Sequence, residues 1–213
     1  MGEQHLQIAL RRLKELTRTD VVVSTPRVPY REAINGRAEG HYRHKKQSGG
    51  HGQFAEVYLR IEPCEEKFQF ANEVVGGAIP KNFIPAVGKG VIEAMESGPL
   101  AGCMVENVKV TVYDGKFHDV DSSEMAFKIA ARRAFNEAMG KANPILLEPV
   151  MSVKIIVPGV YMGDITGHLT HKRGRILGMD TEDGMQVLLT EIPQAELAKY
   201  ATELRSMTQG QGT

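Results

Sequence analysis

Ser122-Ser123-Glu124-Met125-Ala126-Phe127-Lys128-Ile129-Ala130-Ala131-Arg132-Arg133-Ala134-Phe135-Asn136-Glu137-Ala138-Met139-Gly140-Lys141-Ala142 is the clearest helix in the chain. Met125, Phe127, Ile129, Ala130, Ala134, Phe135 and Met139 form one broad apolar face, and a serine just ahead of Glu124 supplies helix-start chemistry. Upstream, Phe83, Ile84, Val87, Val91, Ile92 and Met95 recur at helical spacing between Pro80 and Ser97, where Gly98-Pro99 ends the run. Val57-Tyr58-Leu59-Arg60-Ile61, Phe68-Gln69-Phe70 and the alternating stretch Val105–Tyr113 read as strands. The expectation is a single sheet with two helices covering one face, an α+β arrangement.

On the N-terminal side, Glu3 to Leu16 places Leu6, Ile8, Leu10, Leu13 and Leu16 among charged residues, an amphipathic helix in need of a surface. The β-branched run Asp20-Val21-Val22-Val23-Ser24, closed by Thr25-Pro26, reads as a strand. Residues 1–26 thus look like the tail of a domain, and 27–144 a second. Past the breaker Asn143-Pro144, strands are expected at Val150–Val157, Arg175–Leu177 and Gln186–Ile192, and helices at Met162–Lys172 and Pro193–Arg205. That order, β-α-β-β-α over residues 145–213, is a split βαβ unit without its final strand. An unpaired edge would then leave Val153, Ile155 and Val157 partly uncovered and favour self-association.

At 213 residues, two cores are expected. A net charge of +0 and a pI near 7.1 exclude a surface that is basic throughout, so any RNA contact must be local. One local patch exists: Arg37, Arg43, Lys45 and Lys46 oppose only Glu39 in that stretch of sequence, with His41, His44 and His51 interleaved. No apolar run approaches membrane-spanning length. Cys64 and Cys103 lack metal or disulfide spacing, and a cytoplasmic location is the expectation.

Several stretches, in order, carry a family resemblance. They include Gly2-Glu3-Gln4-His5-Leu6, Val28-Pro29-Tyr30-Arg31-Glu32-Ala33-Ile34, His44-Lys45-Lys46-Gln47-Ser48-Gly49-Gly50-His51-Gly52-Gln53-Phe54 and Gly98-Pro99-Leu100-Ala101-Gly102. The series continues through His118–Lys128, Leu146–Met151, Lys172–Met179 and Tyr200–Ser206. In these the chain resembles the C-terminal part of elongation factor G, the translational GTPase: the end of its third domain, its fourth domain and most of its fifth. The resemblance implies a fourth domain like ribosomal protein S5 domain 2, with a left-handed crossover, and an incomplete ferredoxin-like βαββαβ fifth domain. It implies partners on the ribosome, namely decoding-region RNA, tRNA, mRNA and large-subunit RNA, and no membrane. GTP and Mg²⁺ are cofactors of the full-length family; this chain has no G-x-x-x-x-G-K-[ST] phosphate loop, so no cofactor and no GTPase activity are expected of it. Family paralogues acting in ribosome recycling, back-translocation or ribosomal protection share the same two domains.

The resemblance places an RNA-contacting tip at Ser48, Gly49, Gly50, His51, Gly52 and Gln53 and at His118, Asp119, Val120, Asp121, Ser122 and Ser123, supported by Arg43, Lys45 and Lys46. Glycines allow close backbone approach to a phosphate, and an exposed imidazole can stack or donate. The plain structural readings are a flexible hairpin tip for the first stretch and helix capping for the second, with Asp121 as one candidate cap. His118-Asp119 also spells a metal-phosphohydrolase pair, but no second suitable pair accompanies it. Lys172, Arg173 and Arg175, with His168 and His171, lie at a predicted helix end, where cations oppose the helix dipole; the resemblance adds a ribosome contact.

Overall fold

The computed structural model describes residues 3–47 and 52–213. The larger unit is built on a four-stranded sheet of order β2-β3-β6-β4, from β2 (Ala38–Lys46), β3 (Gln53–Pro63), β4 (Phe68–Asn72) and β6 (Val108–Lys116). β3 pairs antiparallel with β2 and β6, and β4 lies parallel to β6. Alternation decides the faces: Ala55, Val57, Leu59 and Ile61 are fully buried, and so are Val108, Val110 and Val112. Over this face lie α2 (Ile84–Met95), entered through a 3-10 turn at Lys81–Phe83, and α3 (Glu124–Lys141).

α3 carries a small-residue stripe, Ala126, Ala130, Ala131, Ala134 and Ala138, around the wholly buried Phe127 and Phe135. The stripe lets the helix settle directly on β2. A Cβ on Gly40 would run into the Ala134 carbonyl oxygen, so only glycine permits this approach. Phe83 stacks on Phe127 with ring centroids 4.9 Å apart, joining the start of α2 to α3.

A second sheet closes the base of this unit, where β1 (Arg31–Ile34) runs parallel to β5 (Met104–Val105) and antiparallel to β7 (Pro144–Leu147). Glu32, in β1, is completely buried. Its carboxylate accepts the backbone N–H groups of Leu100 at 3.0 Å, Ala101 at 2.8 Å and Cys103 at 3.0 Å. Leu100 lies 68 residues away in sequence.

The smaller unit is a ferredoxin-like sheet of order β8-β10-β9, from β8 (Val150–Pro158), β9 (Arg175–Glu182) and β10 (Met185–Pro193), with α4 (Met162–His171) and α5 (Tyr200–Met207) on one face. The expected β-α-β-β-α order is present. One helix is corrected: Pro193–Arg205 is not continuous, because a 3-10 turn at Gln194–Glu196 is held by Gln194 N–H donating to the Pro149 carbonyl, and α5 starts only at Tyr200. The uncovered edge is corrected too. Ile155 and Val157 are 1% and 0% exposed under the helices, and Thr213 exchanges both backbone hydrogen bonds with Ile156 (2.8 and 3.0 Å) on the free side of β8.

The N-terminal helix, α1 (Glu3–Thr17), forms as its periodicity demands, with Leu6, Ile8, Leu13 and Leu16 exposed. Asp20–Ser24 does not form the expected strand; Val21, Val22 and Val23 are exposed and no strand pairs with them among the described residues. β-propensity records a fit to neighbouring strands, and here a neighbour is lacking.

Candidate functional site

The loop between β6 and α3, residues 117–123, folds back on the start of β3. Ser123 is the N-cap of α3, its hydroxyl accepting the Ala126 N–H at 3.2 Å. Asp121 is therefore not the cap. Its carboxylate turns the other way and accepts the Gly52 N–H at 3.0 Å, while its carbonyl accepts the Phe54 N–H at 2.9 Å. Ser122 finishes the lock: its hydroxyl donates to the Phe54 carbonyl at 2.8 Å and accepts the His118 N–H at 2.9 Å. Two stretches separated by almost seventy residues become one rigid end of the unit.

His118 sits on this platform with its side chain 56% exposed. Its Nδ1 accepts the N–H groups of Val120 and Asp121, both at 3.3 Å, which assigns the proton of the neutral ring to Nε2. Asp121 Oδ2 lies 3.6 Å from the same Nδ1. Phe54 meets the imidazole edge-on at 6.4 Å, and the Arg43 guanidinium lies over the Phe54 ring at 5.5 Å. Arg43, Lys45, Lys46, Gln47, Gln53, Phe54, His118 and Asp121 line a groove of about 230 Å³.

Of the expected tip residues, the fold brings together Gly52, Gln53, His118, Asp121 and Ser122, while Ser123 serves the helix and Asp119 and Val120 are exposed on the loop. Ser48, Gly49, Gly50 and His51 lie outside the described residues. His44 Nε2 donates to Gln53 Oε1 at 2.8 Å across the β2–β3 pair. The basic patch is smaller than the sequence suggests, since β3 supplies carboxylates beside β2: Arg37 pairs with Glu62 at 3.1 Å and Arg43 with Glu56 at 3.6 Å. Burial pushes the Glu56 carboxyl up, but the His41 hydrogen bond and the charges of Arg43 and Lys116 outweigh it and hold it below the usual range. Lys45 and Lys46 keep no ion pair among the described residues.

Sequence reasoning missed Phe54, the ring that joins Arg43 to His118. Its place depends on strand register, which sets Phe54 opposite Lys45 and which residue order does not record. In the smaller unit, Lys172 binds Glu203 at 2.9 Å, and Arg173 makes a two-pronged pair with Glu148 (2.5 and 3.0 Å) while reaching Glu196 at 3.2 Å. These cations tie elements together; Arg175 has no ion pair among the described residues. Also among the described residues, no group of three or more His, Cys, Asp or Glu side chains is placed to hold a metal, and no helix is long and apolar enough to cross a membrane.

Residues 26–143 match elongation factor G, domain IV, and residues 145–213 match the elongation factor G C-terminus. The chain belongs to the elongation factor G family. A solved protein of Thermus thermophilus is 44% identical over 100% of this family member's length, with a TM-score of 0.91. The chain spans 32% of that protein, about a third. The elongation factor G assignment gives the larger unit its S5 domain 2-like fold and the smaller its ferredoxin-like one.

Proposed function

We propose that the chain is the ribosome-binding C-terminal module of a translation elongation factor that promotes movement of tRNA and mRNA, with GTP hydrolysis carried by another part of the protein. Membership of the family supports the translational role. The single observation behind the mechanical part is the locked end of the larger unit, where Asp121 and Ser122 clamp β3 and leave the His118 ring outward. Such an end carries a donor at Nε2, a stacking ring and, close by, two lysines without ion pairs among the described residues, groups that engage bases and phosphates in unpaired RNA. Its work is positioning. No general base, nucleophile or phosphate loop is needed, and the sequence has no G-x-x-x-x-G-K-[ST].

On this reading the tip enters the decoding region beside tRNA and mRNA, Lys45 and Lys46 add phosphate attraction, and the smaller unit faces large-subunit RNA through Arg175. The setting is the cytoplasm. The test is His118→Ala in the complete parent protein, measured by rapid kinetics of translocation and of GTP hydrolysis. Translocation is expected to slow at least tenfold while hydrolysis changes less than twofold, because an exposed side chain contributes little to stability. Equal losses in both rates would sink the proposal.

A further inference from the structure

The outward face of α3 carries a second concentration of unneutralised charge. Ile129, Arg132, Arg133 and Asn136 line a groove of about 250 Å³. Arginines on or beside the sheets of the larger unit are spoken for: Arg31 by Glu106, Arg37 by Glu62, Arg43 by Glu56, and Arg60 by Glu39 and Glu73. Even Lys128, one turn before Arg132, is bound to Glu93. Arg132 and Arg133 are exposed and have no ion pair among the described residues. In a chain with formal charge +0, leaving two adjacent guanidinium groups unpaired over one concavity marks a place for an external anion.

We infer that this groove binds the phosphodiester backbone of an RNA strand, a second contact that rests on the proposed ribosomal role and extends it beyond the tip. Position argues for one continuous partner, since α3 starts at the tip loop and Arg132 lies roughly 14 Å along the helix from the Ser123 cap at 1.5 Å per residue. That is the separation of a few nucleotides along a strand, so RNA reaching His118 can continue to the arginines. Asn136 on the groove floor can serve such a strand: its Oδ1 has no donor among the described residues, and a ribose 2′-hydroxyl can donate to it.

The test is filter binding of the 213-residue chain to purified small-subunit ribosomal RNA, over roughly 50 to 300 mM KCl so that the salt slope is resolved, with poly-glutamate as the competing anion. Arg132→Ala/Arg133→Ala is expected to bind about tenfold more weakly at the middle of that range and to flatten the slope of log K against log salt by about 1.4, the value for two single-strand phosphate contacts. Arg132→Lys/Arg133→Lys should recover most of the slope, because the charge is kept. Circular dichroism should show the alanine variant folded, as alanine is the better helix former at both sites. An unchanged slope and affinity, or absence of salt-dependent RNA binding by the wild-type chain, overturns the inference. So does poly-glutamate displacing RNA at equal charge concentration, which would assign the groove to an acidic protein. Failure here leaves the translocation result for His118→Ala untouched, so the two proposals fall separately.

Discussion

Each end of the larger unit is closed by a carboxylate that captures backbone N–H groups from a distant loop, and the two closures differ in kind. At the base, Glu32 is 0% exposed and holds three amides of the Gly98–Cys103 loop. Gly98 is packed so tightly that a Cβ there would overlap Glu32 Oε2. At the tip, the Asp121 side chain is 28% exposed and holds one amide, that of Gly52. A buried charge is tolerable only when its lone pairs are fully used, and once so used it is very costly to disturb. A half-exposed carboxylate can trade its partner for water. The base closure is thus the costlier of the two to disturb.

The sharpest way to break this contrast is Glu32→Ala. It leaves three part-buried amide donors without acceptors, and at about 1–3 kcal/mol each for a buried donor, partly relieved by water and loop movement, the expected loss is about 4 kcal/mol in urea unfolding. A loss below about 1 kcal/mol, the net worth of a single hydrogen bond, would show that the base loop is held by something else.

The next effect comes from a buried hydroxyl that has no hydrogen-bond partner among the described residues. Tyr200 is 4% exposed in the smaller unit, and burial, with the nearby Glu203 charge, pushes its pKa up to about 12. Below about pH 10, the tyrosine is protonated whether the chain is folded or not and the smaller unit keeps its full stability. Between about 10 and about 12 the unfolded chain releases the proton first, so stability falls with rising pH by up to about 2–3 kcal/mol. Tyr200→Phe should remove that alkaline loss and cost less than about 1 kcal/mol at pH 7, since no hydrogen bond is given up. Parallel pH profiles for wild type and variant would contradict the orphaned hydroxyl.

The smallest effect belongs to the tip. Asp121→Ala removes one part-exposed hydrogen bond and should cost about 1 kcal/mol, with water replacing the lost acceptor. Amide hydrogen exchange should meanwhile rise at Gly52, leaving α3 protection unchanged because Ser123 caps it. A cost equal to that of Glu32→Ala would erase the distinction between the two ends.

Elements whose signal is periodic were legible in the residue order alone. Alternation marked β3 and β6, and the 3.6-residue spacing marked α3, because each pattern records which face of one element meets the core. The split βαβ order of the smaller unit was equally open to reading, whereas the tip stretches came from the family resemblance, and residues 48–51 lie outside the described residues. Whatever depends on register and on chain reversal came from the folded chain. Folding chose Ser123 over Asp121 as the cap, set Glu56 and Glu62 beside cations that seemed unopposed, and left Asp20–Ser24 without a strand to join. It also placed Glu32 against residues 68 or more positions away. The physical reason is common to all of these: a side chain's hydrogen-bond or ion-pair partner is fixed by distance in space, and a linear sequence records only distance along the chain.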